Sequence, residues 1–152
     1  MPYFHCISTI LNPGAIIEPG NWGRVIRNAG WAHNLSAREV VLEHIRQREF
    51  ADKPSRLDAA FFFDDENEAR FYANSDGRLI TMIPYEIELV KPDAPQHFGD
   101  WRNVAANGPL DMTWANRYWQ GQMLPPHQDA LWHASCREVL AVTAMKIIRR
   151  LP

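Results

Sequence analysis

The segment at residues 56–73 predicts a short buried strand that leads directly into a helix. Residues 59–63 form a continuous apolar run that ends in three phenylalanines, which is typical of a strand covered on both faces. Asp64 or Asp65 can cap the helix that follows, and acidic residues in its first turn favour its positive N-terminal end. A strand that runs straight into a helix opens a cleft at the junction, and such clefts often hold ligands.

The length and composition of the chain favour one globular domain. A chain of 152 residues is long enough for one hydrophobic core and too short for two domains, so we expect a single domain over residues 1–152. No apolar run approaches the roughly 20 residues that cross a bilayer, and the N-terminus lacks the pattern of a secretion signal. We therefore expect a cytoplasmic protein without a membrane partner. The formal net charge of -2 gives no indication of a general affinity for nucleic acids.

The first half of the chain predicts three further elements. Residues 2–9 favour a strand, and residues 16–17 favour a brief extended piece between two turns. Residues 36–50 predict a helix, with Ser36 and Glu39 as its capping box. The segment at residues 21–24 is left open between a turn that covers a bound nucleotide and a cap on the core.

The second half predicts mostly strands and loops, so the whole chain is expected to be α+β, with two helices packed on a core of strands. Pro84 is expected to bend the first of these strands, and acidic residues alternate along its wet face. The expected elements are a strand at 78–90, a long loop at 91–109, a short helix at 111–119, a loop at 120–127 and a final pair of strands at 137–142 and 143–151.

The cysteines and histidines do not predict a metal site. Cys6 and Cys136 are far apart and are expected to be reduced and buried in a cytosolic chain, although their even number also allows a disulfide. No pair among the six histidines has the spacing of metal ligands. Many of the aromatic residues can simply fill the core. Some tryptophans of the polar, Pro-rich and Gly-rich region are expected to line a groove; they are Trp101, Trp114, Trp119 and Trp132.

Three residues are candidates for chemistry, and each has a structural alternative. His5 lies in the first predicted strand, Tyr72 on the inward side of the helix after the phenylalanines, and Glu138 at the start of a late apolar strand. Judged singly, His5 and Tyr72 are more often core residues, and Glu138 is more often solvated. Their order along the chain is the stronger signal.

That order resembles the ADP-ribosyltransferase-like domain. In this family a first strand carries His or Arg, a middle strand ends in an aromatic pair and runs into a helix with Ala and Tyr, and a late strand carries Glu. The corresponding segments here are Phe4-His5-Cys6, then Phe61-Phe62-Phe63 with Ala69 and Tyr72, then Arg137-Glu138-Val139-Leu140. The resemblance is closest to small bacterial members in which Pro-Ser-Arg precedes the aromatic strand, as residues 54–56 do here. It implies a split β-sheet core with a few flanking helices.

The chain also departs from the family pattern. Many members have Gly where this chain has Cys6, and the histidine class usually has Tyr where it has Phe61 or Phe62. Cys136 stands two residues before the glutamate, where members that modify arginine have Gln or Glu. Modification of arginine is therefore the less expected reaction.

The resemblance implies roles for five residues towards NAD as substrate, without a metal. Glu138 would stabilise the positive charge that develops on the ribose when nicotinamide leaves, and His5 would hydrogen-bond the ribose. Phe62 and Tyr72 would enclose the nicotinamide ring. Arg56 would pair with the pyrophosphate, or alternatively form a surface ion pair with an aspartate, either Asp58 or Asp64.

Three functions follow from these expectations. The first is an NAD-dependent ADP-ribosyltransferase that transfers ADP-ribose to an unknown acceptor, which could be a protein, a nucleic acid or water. The second is a non-catalytic nucleotide- or protein-binding module of the same fold. The third is a small structural or accessory protein whose aromatic residues serve only the core. A partly buried Glu138 that shares a cleft with His5 would favour the first.

Overall fold

Two antiparallel sheets form the centre of the molecule, and helices pack against both of them. The computed structural model describes residues 1–75, 81–106 and 108–152. Its helices are α1 (Asn21–Ala29), α2 (Ser36–Glu49), α3 (Glu66–Asn74) and α4 (Thr113–Trp119). Its strands are β1 (Tyr3–Ile7), β2 (Ile16–Ile17), β3 (Ala60–Phe62), β4 (Ile83–Leu89), β5 (Gln96–Asp100), β6 (His127–Gln128), β7 (His133–Ala134), β8 (Arg137–Ala141) and β9 (Met145–Arg150). The α+β class is confirmed.

The strands fall into two main sheets that meet at one place. The first sheet has the order β1-β4-β9-β2 and the second has the order β3-β8-β5, while β6 and β7 form a separate hairpin. An isolated bridge pairs Phe4 of β1 with Phe63, the residue after β3. Two backbone hydrogen bonds, of 2.8 and 2.7 Å, form this bridge. It brings β1 beside the strand–helix unit that the phenylalanine run predicts.

That strand–helix unit is confirmed. Strand β3 covers three residues of the apolar run, and α3 follows it at once. Asp65 is the N-cap: its carboxylate accepts hydrogen bonds from the backbone N–H groups of Asn67 and Glu68, at 2.8 and 3.2 Å. Ala69 and Ala73 lie on the buried side of α3. The turn predicted at residues 74–77 lies partly outside the described residues.

The core has two main parts, one on each face of the second sheet. Between the sheets, side chains from both interdigitate, among them Phe62, Ile87, Val139 and Ile147. On the other face, α2 and α4 pack against the second sheet through Leu42, Ile45, Trp114, Tyr118, Trp119 and Leu140. Burial of this much apolar and aromatic surface is the main favourable term in folding. Of the four tryptophans of which some were expected to line a groove, Trp114 and Trp119 are therefore core residues, whereas Trp101 and Trp132 line a cavity.

The predicted capping box of α2 is wrong. Leu35 is the N-cap, and it has no side-chain capping bond. The hydroxyl of Ser36 instead donates to the carbonyl oxygen of Gly30 at 2.6 Å, which ties α2 to the preceding 3₁₀ turn. Glu39 is buried and points to Arg56 rather than back to its own helix end. The carboxylate of Glu39 therefore forms an ion pair with Arg56 instead of the local hydrogen bond of a capping box.

Three further elements lie where the sequence did not predict them. Residues 21–29, which were left open, form α1, and the predicted loop at residues 91–109 contains β5 and a 3₁₀ turn, Trp101–Val104. Strand β5 is central to this error, because it buries the polar residues His97 and Asp100. Their hydrogen-bond partners come from distant or looped segments, which no local pattern indicates.

The last two strands follow each other in the chain but do not pair. Strand β8 pairs with β3 and β5, whereas β9 pairs with β4 and β2. The chain crosses from the second sheet to the first at residues 142–144, where the N–H of Thr143 donates to the carbonyl of Ala141. The predicted pairing is therefore wrong, although both strands exist.

Cys6 and Cys136 are both buried and are not joined by a disulfide. Within residues 1–75, 81–106 and 108–152, every helix is too short or too polar to span a lipid bilayer.

His97 should make the protein sensitive to mild acid. It is buried on β5, and its Nε2–H donates to the carbonyl oxygen of Tyr118 at 3.0 Å. Burial, with a smaller effect of the Lys53 charge, lowers the pKa of His97 from 6.5 to about 4. The unfolded chain therefore binds this proton at a higher pH than the folded chain does. The contribution to stability is complete above pH 6.5 and declines as the pH falls towards 4.

We expect the free energy of unfolding to fall by about 2–3 kcal/mol between pH 7 and pH 4.5 through this group, at about 1.4 kcal/mol per pH unit. Replacing His97 with Gln keeps an N–H donor and removes the titration. Urea unfolding of both proteins at the two pH values measures the difference. Equal losses in the wild type and His97→Gln would contradict the assignment.

Candidate active site

A cavity of about 460 Å³ lies at the junction of the two sheets. Its walls come from β1, α1, α3, β8 and the segment that contains β3. A volume in this range is typical of small-molecule sites. Its lining combines aliphatic, aromatic and ionisable residues, and includes His5, Trp22, Phe61, Tyr72, Trp101 and Glu138.

His5 enters the cavity wall from the first sheet as a neutral imidazole. Its Nδ1 lies 2.7 Å from the carbonyl oxygen of Phe61. A carbonyl can only accept, so Nδ1 carries the hydrogen and donates it. Burial lowers the pKa of His5, more than the hydrogen bond to Phe61 raises it. The imidazole is therefore neutral at pH 7, and its Nε2 is a hydrogen-bond acceptor.

Glu138 enters the same cavity from the second sheet and is held by two donors. Its Oε1 accepts hydrogen bonds from Arg56 Nη1 and from the hydroxyl of Tyr118, both at 2.8 Å. Arg56 Nη1 also donates to the Tyr118 hydroxyl at 2.7 Å, which closes a triangle of three groups. In the part of the chain that the structure describes, no donor lies within hydrogen-bond distance of Oε2. One carboxylate oxygen is fixed and the other is available to a ligand.

Gly99 makes this arrangement possible. It lies opposite Glu138 in the pairing of β5 with β8. A Cβ atom at Gly99 would come within 2.7 Å of the Tyr118 ring. Because glycine has no side chain, the ring can pack flat on β5 and reach Glu138 with its hydroxyl.

Arg56 is the centre of a buried charge network. Its guanidinium is 5% exposed and donates to Glu39 through Nε at 3.1 Å, in addition to its bond with Glu138. It also lies between the rings of Phe61 and Tyr118, with Cζ 4.9 and 5.0 Å from the ring centroids. The ion pairs and the contacts with ring faces together compensate for the water that the Arg56 cation loses on burial.

The charges around Arg56 balance. Burial would raise the pKa of Glu39, but the charges of Arg56 and Arg38 outweigh that effect and lower it. Arg38 lies 2.7 Å from Glu39 and lines the cavity with a side chain that is 20% exposed. Two guanidiniums thus face two carboxylates, counting Glu138. The surface ion pair considered for Arg56 is wrong, since Asp58 pairs with Arg27 and Asp64 with Arg137.

The aromatic lining differs from the expectation by one residue. Phe62 is fully buried between the sheets, where its ring meets Tyr3 edge-on at 5.1 Å. Successive side chains of a strand point to opposite faces, so Phe61 lines the cavity instead. Tyr72 does line the cavity, with its ring 5.1 Å from Phe63 and 5.6 Å from Trp101.

Four other residues shape the site, and a role there was considered from the sequence only for the segment that contains Trp22. They are Trp22, Arg38, Glu39 and Tyr118. Glu39 carried a usable signal, because it lies three residues before Leu42 on the buried face of α2, where a charge needs a partner. The indole N–H of Trp22 is buried and has no acceptor among the described residues, which leaves an unpaired donor at the cavity wall.

The described parts of the chain contain no cluster of His, Cys, Asp and Glu that could hold a metal ion. The groups that the first cavity offers to a ligand include a carboxylate, a neutral imidazole, aromatic rings and two guanidiniums. Compared with known proteins, the chain matches no protein-family model and no curated sequence.

Proposed function

We propose that the protein is an NAD-dependent ADP-ribosyltransferase that uses the cavity between the two sheets. The observation that carries the proposal is the convergence of His5, Tyr72 and Glu138 on one aromatic cavity. These residues were singled out from three distant segments of the sequence. His5 comes from one sheet and Glu138 from the other, which fits the split core that the resemblance implies.

Each residue has a defined task in this proposal. The planar nicotinamide packs against Phe61 and Tyr72, and the Nε2 of His5 accepts a hydrogen bond from a ribose hydroxyl. The glycosidic bond breaks with its electron pair on the nicotinamide, which leaves as a neutral molecule. Positive charge develops on the ribose, and the Oε2 side of Glu138 stabilises it. The acceptor then forms a bond to the same ribose carbon and releases a proton.

The two arginines of the cavity take different tasks. The donors of Arg56 are engaged with Glu39, Tyr118 and Glu138, so it acts mainly by fixing the catalytic carboxylate. Arg38 is more exposed and is the better partner for a pyrophosphate. This assignment moves the anion-binding role from Arg56 to Arg38.

Replacing Glu138 with Gln should lower the rate of nicotinamide release from NAD by about 100-fold or more, since it removes the charge that stabilises the transition state. Release is measured by chromatography with millimolar NAD and the purified protein. Binding of NAD, measured by calorimetry, should change much less, because Gln fills the same space. Glu88→Gln is the matched control: Glu88 is exposed on β4, and its replacement should leave the rate unchanged.

The outcomes separate the proposal from its alternative. Binding of NAD without release by the wild type would favour a non-catalytic module of the same fold. One observation points that way: Arg56 and Tyr118 already occupy Oε1 of Glu138 and reduce its negative potential. If the protein neither binds NAD nor releases nicotinamide at millimolar NAD, the transferase and a module that binds this nucleotide are both contradicted, and a protein-binding module of the same fold is left. Equal release by Glu138→Gln would remove Glu138 from the mechanism.

A further inference from the structure

A second cavity, of about 470 Å³, lies beside the first. It is bounded by the C-terminal end of α3, the 3₁₀ turn that begins at Trp101 and the β6–β7 hairpin. Trp101 lines both cavities. The proposed transfer of ADP-ribose gives this second cavity no role.

The second cavity is an aromatic slot. Phe71 is buried at its centre, and its ring centroid lies 6.2 Å from that of Trp101 and 6.0 Å from that of Trp132. His127 stacks on the same ring at 4.7 Å. The rings are tilted against each other by 30–58° rather than stacked in parallel. These rings line the slot, and the face of an aromatic ring carries negative potential.

Asp129 adds a fixed negative charge at the rim. Its carboxylate accepts hydrogen bonds from His127 Nε2 and from the backbone N–H groups of Leu131 and Trp132. These bonds lower the pKa of Asp129, that from His127 most. The same bonds hold Trp132 in the wall of the cavity. The carboxylate is about half exposed, so a ligand in the slot can reach it.

Among the residues that the structure describes, the other charges near the slot do not neutralise Asp129. Arg102 lines the cavity, but its guanidinium is paired with the fully buried Asp100 at 2.7 Å. Its remaining bonds go to carbonyl oxygens of the surrounding loops. Behind Cys136, the carboxylate of Glu68 accepts three hydrogen bonds from Ser135 and Cys136 and has no ion-pair partner in the described residues. Within the described parts of the chain, Asp129, Asp100 and Glu68 thus contribute three negative charges here against the one positive charge of Arg102.

We infer that this slot binds an organic cation, either a quaternary ammonium compound or the cationic side chain of a basic peptide. Tryptophan faces attract cations most strongly when water is excluded, and an adjacent carboxylate adds charge attraction. The excess of negative charge disfavours phosphates and nucleic acids. This inference does not rest on the proposed transfer reaction, because neither Glu138 nor His5 contributes to the slot.

The test compares cations with neutral molecules of the same shape. Choline and the N-methylamide of N-acetylarginine are titrated into the full-length protein at constant ionic strength, at about pH 8, where imidazoles are neutral. Their controls are 3,3-dimethyl-1-butanol and the corresponding citrulline derivative. Ligand-observed NMR measures binding at millimolar concentrations. At least one cation should bind about tenfold more tightly than its neutral counterpart.

Two variants test whether the cation binds in the slot. Trp132→Leu and Asp129→Asn should each weaken binding of the cation by about tenfold. Asparagine still accepts the backbone bonds of Leu131 and Trp132, so the loop keeps its shape. Trp31→Leu is the matched control, because Trp31 is highly exposed and lies outside the slot.

Each outcome decides the inference. Preference for choline assigns the slot to small ammonium compounds, and preference for the arginine derivative assigns it to basic peptides. Equal binding of a cation and its neutral counterpart, unchanged binding by Trp132→Leu, or no binding of either cation would overturn it. Release of nicotinamide is a separate readout, so failure here leaves the proposed transferase untouched.

Discussion

Replacing Arg56 with methionine is expected to lower the free energy of unfolding by about 3–5 kcal/mol. Methionine fills much of the space but leaves the carboxylates of Glu39 and Glu138 without their shared cation. Glu39 is 1% exposed and does not line the cavity, so water cannot replace its lost partner. The midpoint of thermal unfolding should fall by about 10 °C or more.

Arg27→Met is the matched control for this prediction. Arg27 pairs with Asp58 at 2.8 Å, the same distance as Arg56 with Glu138, but both partners are 55% exposed. Solvent screens such a pair, and its loss should change stability by less than about 1 kcal/mol. Comparable losses in the two variants would contradict the buried network.

Neutralising Glu39 and Glu138 should restore much of the free energy of unfolding that Arg56→Met loses. In the Arg56→Met background, Glu39→Gln and Glu138→Gln replace two buried anions with neutral amides. The triple variant should therefore be more stable than Arg56→Met alone, because unpaired buried charge is the main penalty. A triple variant that is less stable would show that packing of the guanidinium, rather than its charge, holds this region together.

Gly23→Ala is expected to lower the free energy of unfolding by about 2–3 kcal/mol, although alanine normally favours helices. Gly23 lies in α1, directly against the backbone of Leu57. A Cβ atom at this position would overlap the carbonyl oxygen of Leu57 and lie 2.8 Å from its Cα. A backbone segment cannot rotate aside as a side chain can, so the helix must move outward.

Gly14→Ala provides the comparison for Gly23→Ala. The space around Gly14 is open, and its φ of 88° makes alanine strained by about 1 kcal/mol. The difference between the variants in urea unfolding measures the steric overlap at Gly23. Trp22 is the neighbour of Gly23 and a wall of the first cavity, so the Gly23 variant should also bind NAD more weakly. Equal stability of both variants would contradict the close contact.

The sequence predicted those elements whose signals are local. The phenylalanine run with its capped helix, the helix from Ser36 and the alternation along β4 are such cases, and all three exist. Strand β5 was missed because its buried residues His97 and Asp100 are polar, and their burial depends on partners elsewhere in the fold. The pairing of β8 and β9 was wrong because neighbours in sequence belong to different sheets.

The candidate site was predictable to the same extent. The order of His5, Tyr72 and Glu138 along the chain led to three residues that line one cavity. The ion pairs of Arg56 with Glu39 and Glu138 could not be predicted, because they join separate segments of the chain. They also require buried Arg and Glu side chains, and these residue types are mostly exposed in proteins. Phe61 and Phe62 point to opposite faces of their strand. Which of the two side chains lines the cavity cannot be decided until the position of the neighbouring sheet is known.

The bridge between Phe4 and Phe63 determines how the first cavity can deform. Within each sheet, ladders of hydrogen bonds hold the strands in fixed register. Between the two sheets, strand pairing in the described chain consists of this bridge, with its two backbone hydrogen bonds. A rocking motion of one sheet against the other therefore disrupts few main-chain bonds. The separation of His5 and Glu138 across the first cavity therefore depends on side-chain packing between the sheets more than on main-chain hydrogen bonds.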